Sequence, residues 1–331
     1  MSSFTIQKGT GVFYLPLEFQ LEHGGVLVAS QLAFERTGPE DAPVIVVLGG
    51  ISAGMDVVGW WSDIVGPELA IDTSTHCVLG IDFLGGAGVS TGPSNWQGEG
   101  SFPLITSRDQ ARAIALLLDH LGVERVHRFV GSSYGGMVGL VFAAEYSERL
   151  EGLIAIGAAH ESHPMALAWR SLQRRIVTFG KSNGDERTAV ALARGLAMTT
   201  YRSHEEFGQR FDSAPSYING CSHFPVEEYL DARGNDFADH FTSDEYLALS
   251  QAIDLHRVDP ADVRVPTLLI GFESDQLVPI QQLEDLAERL GEWGRLIALP
   301  SLFGHDGFLK EVDALTPILR KAIADRSGEV A

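Results

Sequence analysis

A serine between glycines is the first feature of this sequence that could perform covalent chemistry. Ser133 lies in the run GSSYG, residues 131–135, which matches the pattern Gly-x-Ser-x-Gly. A strand-like run precedes it at 126–131 and a helix-like run follows at 137–150, which is the context that the motif requires. The flanking glycines permit a sharp turn that presents the hydroxyl at a helix N-terminus. Because the pattern also arises by chance in glycine-rich loops, a nucleophilic serine further requires a base and a residue that orients the base.

Both further residues are present in the required order along the chain. Asp275 follows the strand-like run 266–272, and acids at the carboxyl ends of strands face the crevice of an open α/β sheet. Glu273 is the alternative carboxylate, and Asp275 is preferred because it lies deeper in the loop. His305 lies in a loop flanked by glycines. The order predicts a triad in which His305 takes the proton of Ser133 and Asp275 holds the imidazole.

The tetrahedral intermediate of such a reaction needs preorganised N–H donors. The backbone amide of Tyr134, directly after the serine, is one candidate. The second is the amide of Ile51, in the loop GGISA at 49–53, although these glycines also fit an ordinary tight turn. This proton transfer requires neither a metal nor a permanently bound cofactor.

The elements that position these residues alternate along the chain. A helix with Ser107 as a possible N-cap is predicted at 107–122. Apolar, β-branched runs occur at 44–48, 78–83, 126–131, 150–158, 266–272 and 295–300. Such alternation predicts a mostly parallel central sheet flanked by helices.

The alternation of strands and helices stops between about residues 161 and 259, where the sequence becomes helical and rich in aromatic residues and arginine. We therefore predict a core of residues 1–160 and 259–331 with an inserted helical lid at 161–258, called the insertion below.

Composition excludes several classes of function. The chain has 24 Lys and Arg against 44 Asp and Glu, a formal net charge of −20, so nucleic acid is not an expected partner. The two cysteines, Cys77 and Cys221, have no metal-ligand spacing and fit a reducing, cytoplasmic setting. No secretion signal or membrane-spanning run is evident, so a membrane is not an expected partner either.

Longer stretches resemble the homoserine O-acetyltransferase family, which includes homoserine O-succinyltransferases. The resemblance covers nearly the whole chain and ends in GHDGFL around His305. It is carried by 59–73, 83–94, 102–126, 131–137, 192–211, 224–241 and 246–258.

That resemblance implies the α/β-hydrolase fold and a ping-pong reaction. Ser133 would take an acyl group from acetyl-CoA or succinyl-CoA, a co-substrate, and pass it to the hydroxyl of L-homoserine in methionine biosynthesis. The resemblance also favours a homodimer.

Three residues acquire expected roles from the resemblance. Asp306, beside His305, would bind the substrate's amino group, and a turn aspartate is the alternative interpretation. Arg210 would bind the substrate carboxylate, since a guanidinium matches a carboxylate bidentately, and Tyr229 would join it. For the coenzyme A phosphates, one possible cluster, which equally fits an exposed helix face, is Arg170, Arg174, Arg175 and Lys181.

The sequence departs from the family pattern at several positions. Residues 49–53 read GGISA instead of a His-Ala-Leu-Thr-Gly type of run, residues 242–246 read TSDEY, and His240 replaces an expected arginine. These departures leave open whether acetyl or succinyl is transferred and whether homoserine or serine accepts it. A serine esterase with the same triad is the rival enzyme. A non-catalytic binding protein is disfavoured because all three triad residue types are retained.

Overall fold

The structure is a computed structural model that describes residues 8–325 of the chain. At its centre is an eight-stranded sheet with the strand order β1-β2-β4-β3-β5-β6-β7-β8. The strands are β1 (Lys8–Tyr14), β2 (Gln31–Thr37), β3 (Val44–Leu48), β4 (Cys77–Ile81), β5 (Arg128–Ser132), β6 (Leu153–Ile156), β7 (Thr267–Phe272) and β8 (Gly294–Leu299).

The sheet is parallel from β4 to β8, which confirms the mostly parallel arrangement predicted from the alternating pattern. β1 pairs with β2, and β2 with β4, in antiparallel fashion. The sequence analysis did not identify these two strands. β1 has mostly exposed side chains, so it lacks the continuous apolar run that marked the buried strands.

The longer helices lie between or after these strands. They are α1 (Ser107–His120), α2 (Tyr134–Glu145), α3 (Pro164–Ser182), α4 (Glu186–Tyr201), α5 (His204–Arg210), α6 (Pro225–Ala238), α7 (Ser243–Asp254), α8 (Ile280–Leu290) and α9 (Val312–Ala324). Two helical segments of four residues occur at Val57–Trp60 and Gly307–Lys310. Among the described residues, no helix combines the length and the apolar character needed to span a bilayer.

The N-cap of α1 differs from the prediction. Thr106 caps the helix, since its side chain accepts a hydrogen bond from the Asp109 amide at 3.2 Å and Asp109 reciprocates at 3.0 Å. The prediction of Ser107 was wrong: Ser107 and Gln110 also have the spacing of a capping box, but the Gln110 side chain bonds to the backbone of Leu84 instead. Ser107 instead bonds to His256 at 2.8 Å.

The helices α3 to α7 lie between β6 and β7 in sequence, within the range of the insertion. A small hairpin of Ser216–Ile218 and Cys221–His223 joins α5 to α6. A single antiparallel bridge between Glu161 and Arg257 brings the two ends of this stretch together. The chain therefore leaves the core and returns to it at neighbouring points.

Apolar side chains are buried on both faces of the sheet. Val46 and Phe129 belong to one hydrophobic cluster, with α1 and α2, while Ile45 and Val130 belong to a second cluster, with α9. Neighbouring residues of a strand thus pack on opposite faces, as its alternating side chains require. Burial on both faces explains why the central strands read as unbroken apolar runs.

Candidate active site

The turn around Ser133 is sharply strained and closely packed. Ser133 has φ 52° and ψ −122° and immediately precedes α2. A Cβ atom on Gly131 would lie 2.3 Å from the carbonyl oxygen of Gly135, and one on Gly135 would lie 2.4 Å from that of Leu48. Both positions therefore require glycine. A non-glycine residue at such a backbone angle costs about 1–3 kcal/mol, which the surrounding packing must offset.

The structure brings the three predicted triad residues together. The Nε2 atom of His305 lies 2.8 Å from the Ser133 hydroxyl, and its Nδ1 atom lies 2.7 Å from Oδ2 of Asp275. The other carboxylate oxygen of Asp275 accepts hydrogen bonds from the amides of Leu277 and Val278 at 2.8 and 3.1 Å. Glu273, the alternative acid, is exposed and forms no hydrogen bond or ion pair with His305.

The electrostatics of His305 follow from its buried position. Burial, the largest influence, lowers the pKa of His305, but the charge of Asp275 and the hydrogen bond to it raise that pKa. The net result is a raised pKa. His305 is therefore a stronger base than a free imidazole, as removal of a serine proton requires.

Two backbone amides are available near the serine hydroxyl. Tyr134 is the first residue of α2, so its amide has no acceptor within the helix. On the other side, a Cβ atom on Gly50 would lie 3.9 Å from the Ser133 Cβ, which places the loop 49–53 beside the nucleophile. Within residues 8–325, neither the Tyr134 nor the Ile51 amide donates to a protein acceptor. Both predicted oxyanion donors thus remain free for a ligand.

A cavity of about 950 Å³ opens over Ser133 and His305. Its walls come from the loops at the carboxyl ends of the strands and from the insertion. Asp306, Arg210 and Tyr229 all line it, together with Ile51. A cavity of this size suits a substrate that is larger than an amino acid alone.

Asp306 has a partner that sequence analysis missed. Its Oδ2 atom lies 3.0 Å from Nε of Arg202, and both side chains are largely buried. Burial raises the pKa of Asp306, while the positive charge of Arg202 opposes this shift. No local pattern marks Arg202, because its role depends on how the insertion packs over the loop around His305.

Arg210 and Tyr229 lie together, but each is already engaged. The Arg210 guanidinium lies 4.3 Å from the centre of the Tyr229 ring, and its Nη1 atom lies 3.3 Å from Glu206. The Arg210 side chain is 46% exposed. A substrate carboxylate at Arg210 would therefore compete with Glu206 and with water.

Arg194 is a second cavity residue that sequence analysis missed. Its guanidinium lies 5.0 Å from the ring centre of Tyr201 and 4.7 Å from that of Phe237, and none of the ion pairs within residues 8–325 includes it. The Tyr201 ring is in turn 6.1 Å from the His305 ring. The spacing of seven residues between Arg194 and Tyr201 places both on one face of α4, and this signal could have identified them.

The segment between α4 and α5 is hydrogen-bonded to the loop that carries Asp275 and to the loop that carries His305. The Gln276 side chain donates to the carbonyl of Arg202 at 2.9 Å, and the Ser203 hydroxyl donates to that of Leu302 at 2.5 Å. Gly304 has φ +58°, and a Cβ atom on it would lie 2.6 Å from the Tyr201 carbonyl oxygen. This part of the insertion is therefore continuous with the active-site framework.

The proposed phosphate cluster does not form an open basic surface. Arg170 and Arg174 both pair with Asp254, at 2.6 and 2.5 Å, and Lys181 pairs with Asp244. Only Arg175 has no ion pair within the described residues. The two paired arginines instead join α3 to α7.

The fold and the geometry around Ser133 define a protein of the α/β-hydrolase class with a serine acyl-transfer site. In agreement, the family model for the alpha/beta hydrolase fold matches residues 43–311.

Comparison with named relatives identifies the family to which the chain belongs within this class. The chain is 45% identical over 309 residues to a homoserine O-succinyltransferase from Xanthomonas campestris pv. campestris, covering 91% of this chain and 80% of the relative. The solved homoserine O-acetyltransferase from Staphylococcus aureus is 26% identical with a TM-score of 0.82, covering 97% of this chain and 96% of the other. The chain belongs to the homoserine O-acyltransferase family, which confirms the resemblance.

Esterase E22 shares the fold at 19% identity, with a TM-score of 0.86 and coverage of 96% of this chain and 100% of the other. The fold alone therefore does not separate a transferase from an esterase.

Proposed function

We propose that the protein transfers an acyl group from an acyl-CoA thioester to the side-chain hydroxyl of L-homoserine, a step of methionine biosynthesis. The observation that carries this proposal is the hydrogen-bonded Ser133, His305 and Asp275 at the base of a cavity walled by the insertion. The 45% identity with a homoserine O-succinyltransferase supports it.

The reaction has two half-reactions that use the same residues. His305 accepts the proton of Ser133 as the serine oxygen attacks the thioester carbonyl, and the amides of Ile51 and Tyr134 stabilise the resulting oxyanion. The intermediate collapses to an acyl-serine as the coenzyme A thiolate leaves and takes the proton from His305. His305 then accepts the proton of the homoserine hydroxyl, whose oxygen attacks the acyl-serine. Collapse of the second intermediate releases the ester and returns the proton to Ser133.

Asp306 and Arg194 are the residues that we assign to the charged groups of homoserine. Asp306 lies beside His305, so its carboxylate suits the ammonium group, as the family resemblance implied. For the substrate carboxylate we favour Arg194 over Arg210, because Arg194 lacks an anionic partner within residues 8–325 and Arg210 is paired with Glu206. Tyr229 would then line the outer part of the cavity.

We propose succinyl-CoA as the donor, with acetyl-CoA as the alternative. The 45% identical relative is named for succinyl transfer, whereas the 26% identical solved structure is named for acetyl transfer. Coenzyme A enters as a co-substrate and leaves after each first half-reaction, so no permanently bound cofactor is needed.

We further propose that the insertion, residues 161–258, acts as a lid on a core of residues 1–160 and 259–331. A transferase must keep water from the acyl-serine while admitting an amino-acid hydroxyl. The cavity walls contributed by Trp169, Phe237 and Tyr246 supply apolar surface for this purpose. A cytoplasmic location fits the two free cysteines.

The experiment that tests this function is release of free thiol from succinyl-CoA and acetyl-CoA, each with L-homoserine, L-serine or water as the acceptor. We expect release that depends on homoserine and is faster with succinyl-CoA, with an O-acylhomoserine product detected by mass. Release with water alone would instead support the esterase. The Ser133→Ala variant is the control, and it should lose acyl-enzyme formation while ligands still stabilise it against heat.

A further inference from the structure

Asp82 is a buried carboxylate that joins two loops near the active site. It directly follows β4 and is 5% exposed. Its Oδ1 atom accepts a hydrogen bond from the Met55 amide at 2.7 Å, and its Oδ2 atom accepts one from the Val89 amide at 2.7 Å. No lysine, arginine or histidine within residues 8–325 pairs with it. Backbone amides alone therefore compensate for the burial of its charge.

Both loops approach the carboxylate at glycines. A Cβ atom on Gly54 would lie 3.2 Å from Oδ1 of Asp82, and one on Gly88 would lie 2.3 Å from Oδ2. The backbones thus pass closer to Asp82 than most side chains would permit. Such an approach fixes the distance of the 49–55 loop from the end of β4.

The same loop is held from its other side by Trp60. The indole N–H of Trp60 donates to the Gly54 carbonyl at 3.0 Å, and its ring would lie 3.1 Å from a Cβ atom on Gly49. The Ala53 amide donates to the Gly50 carbonyl at 2.9 Å and closes the turn. Ile51 lies within this turn, three and four residues before Gly54 and Met55, to which Trp60 and Asp82 are hydrogen-bonded.

We propose that Asp82 is a positioning residue for the oxyanion hole, which it sets by holding the Met55 amide and thereby the loop that presents the Ile51 amide to Ser133. This inference rests on the oxyanion role of Ile51 in the proposed function. Asp82 itself does not line the cavity and touches no reacting atom. An oxyanion donor acts only within a few tenths of an ångström of its correct position, so the loop must be fixed before substrate binds.

Asp82→Asn tests the role with little change in size. An amide has one acceptor oxygen, so one of the two backbone N–H groups would face an NH2 group and the loop would shift. Complete loss of one oxyanion donor lowers kcat by about 10²–10³-fold, and we expect displacement to lower it by about 10–100-fold. KM should change by less than about threefold, because the donor acts mainly in the transition state.

The assay is release of p-nitrophenol from p-nitrophenyl acetate as it acylates Ser133, and kcat and KM refer to this acylation step. It reports on Ser133 and its oxyanion hole without coenzyme A or homoserine, and it does not require water to reach the acyl-serine. A second readout is the inhibition constant of an alkyl boronic acid, whose tetrahedral adduct with Ser133 places an oxygen in the oxyanion hole. We expect Asp82→Asn to weaken boronate binding in proportion to its loss of kcat, with the pH profile of His305 unchanged.

Asp72→Asn is the control for removing the charge of a carboxylate that accepts backbone amides. Oδ1 of Asp72 also accepts two backbone amides, those of Glu68 and Ser74, both at 2.9 Å, but this residue precedes β4 and so lies at the opposite end of the strand from Asp82. It should retain the wild-type kcat and boronate affinity.

A kcat of Asp82→Asn equal to that of wild type, an equal loss in Asp72→Asn, or a rise in KM alone would overturn the proposal. If Asp82→Asn does not fold, Gly54→Ala is the alternative variant. Its added Cβ atom would lie 3.2 Å from Oδ1 of Asp82, and it should lower kcat while KM is preserved. Because the ester assay is independent of both natural substrates, a wild-type enzyme that cleaves the ester but transfers nothing to homoserine would refute the proposed function and leave this test intact.

Discussion

The protonation of His305 determines how acyl transfer depends on pH. The imidazole must be neutral to accept the serine proton, and its pKa is raised because the effect of Asp275 exceeds that of burial. We therefore expect kcat/KM to fall as the pH drops through this raised pKa, so that activity is lost at a higher pH than with an unperturbed imidazole. A pH profile of kcat/KM measures this directly.

Asp275→Asn provides the comparison for that profile. Removing the negative charge should lower the pKa of His305 and move the acidic limb to lower pH, while kcat falls by about 10⁴-fold because the tautomer is no longer fixed. An acidic limb at the same pH in both proteins would mean that another group controls it.

The choice between Arg194 and Arg210 is testable by a pair of matched variants. Arg194→Leu removes a charged donor from the cavity, and charged hydrogen bonds of this kind contribute about 1.5–3 kcal/mol, so KM for L-homoserine should rise by about 10–100-fold. Arg210→Leu should change it by less than about threefold, since this side chain is half exposed and already paired. Steady-state kinetics with each substrate varied measure both, and a larger effect in Arg210→Leu would reverse the assignment.

At the scale of single residues, the sequence alone predicts the active-site residues that lie in a recognisable motif or in a loop after a strand. Ser133 lies in a motif, and Asp275 and His305 follow strands in a fixed order, so their meeting could be predicted without coordinates. Arg202 has no such signature, and the seven-residue spacing of Arg194 and Tyr201 indicates a shared helix face but not what that face covers. Their importance depends on which core loop the insertion covers, and a sequence pattern does not specify that packing.

Among the elements, the turn into α2 depends most strongly on residue size. Gly135→Ala would place a methyl group 2.4 Å from the Leu48 carbonyl oxygen. We expect a loss of stability of about 1–3 kcal/mol from overpacking, together with reduced activity because Ser133 would move. Thermal unfolding and ester hydrolysis measure the two effects.

Gly208→Ala is the control for this substitution. Gly208 lies in α5 with nothing within 4 Å of the added Cβ atom. Alanine should therefore stabilise the helix by up to about 1 kcal/mol, and a loss comparable to that of Gly135→Ala would show that the close approach to Leu48 is not the cause.

The elements that sequence analysis missed or misjudged have two physical causes. β1 is exposed along most of its length and so has no continuous apolar run. Arg170 and Arg174 read as a basic helix face, yet both pair with Asp254, some eighty residues later in the chain. In the second case, a residue distant in sequence determines whether the arginines are available to a ligand.

For the whole molecule, an apolar face on α3 supports the expected homodimer. Met165, Leu172 and Phe179 are seven residues apart, which places them on one face, and they are 52%, 50% and 73% exposed. Burying these side chains against a partner would remove apolar surface from water. We propose that a second copy of the chain covers it, and we expect light scattering to give the mass of two chains.

Phe179→Glu should shift that mass towards a single chain, because association would bury a charge without a partner. Gln281→Glu, at an exposed position in the first turn of α8, is the control for added negative charge and should remain a dimer. A single-chain mass for the wild type at all concentrations would exclude this assembly.

The hydrogen bonds that join residues 202 and 203 to the loops of Asp275 and His305 affect how such a protein can change during evolution. A lid that touched the core only at its ends could be exchanged between homologues as a module, leaving a competent hydrolase beneath. Here Gln276 and Ser203 tie the insertion to the acid and base loops, so its removal would also release Asp275 and His305 from their supports. New acceptor specificity in this lineage should therefore arise by substitutions along the cavity wall, with the path of the insertion conserved.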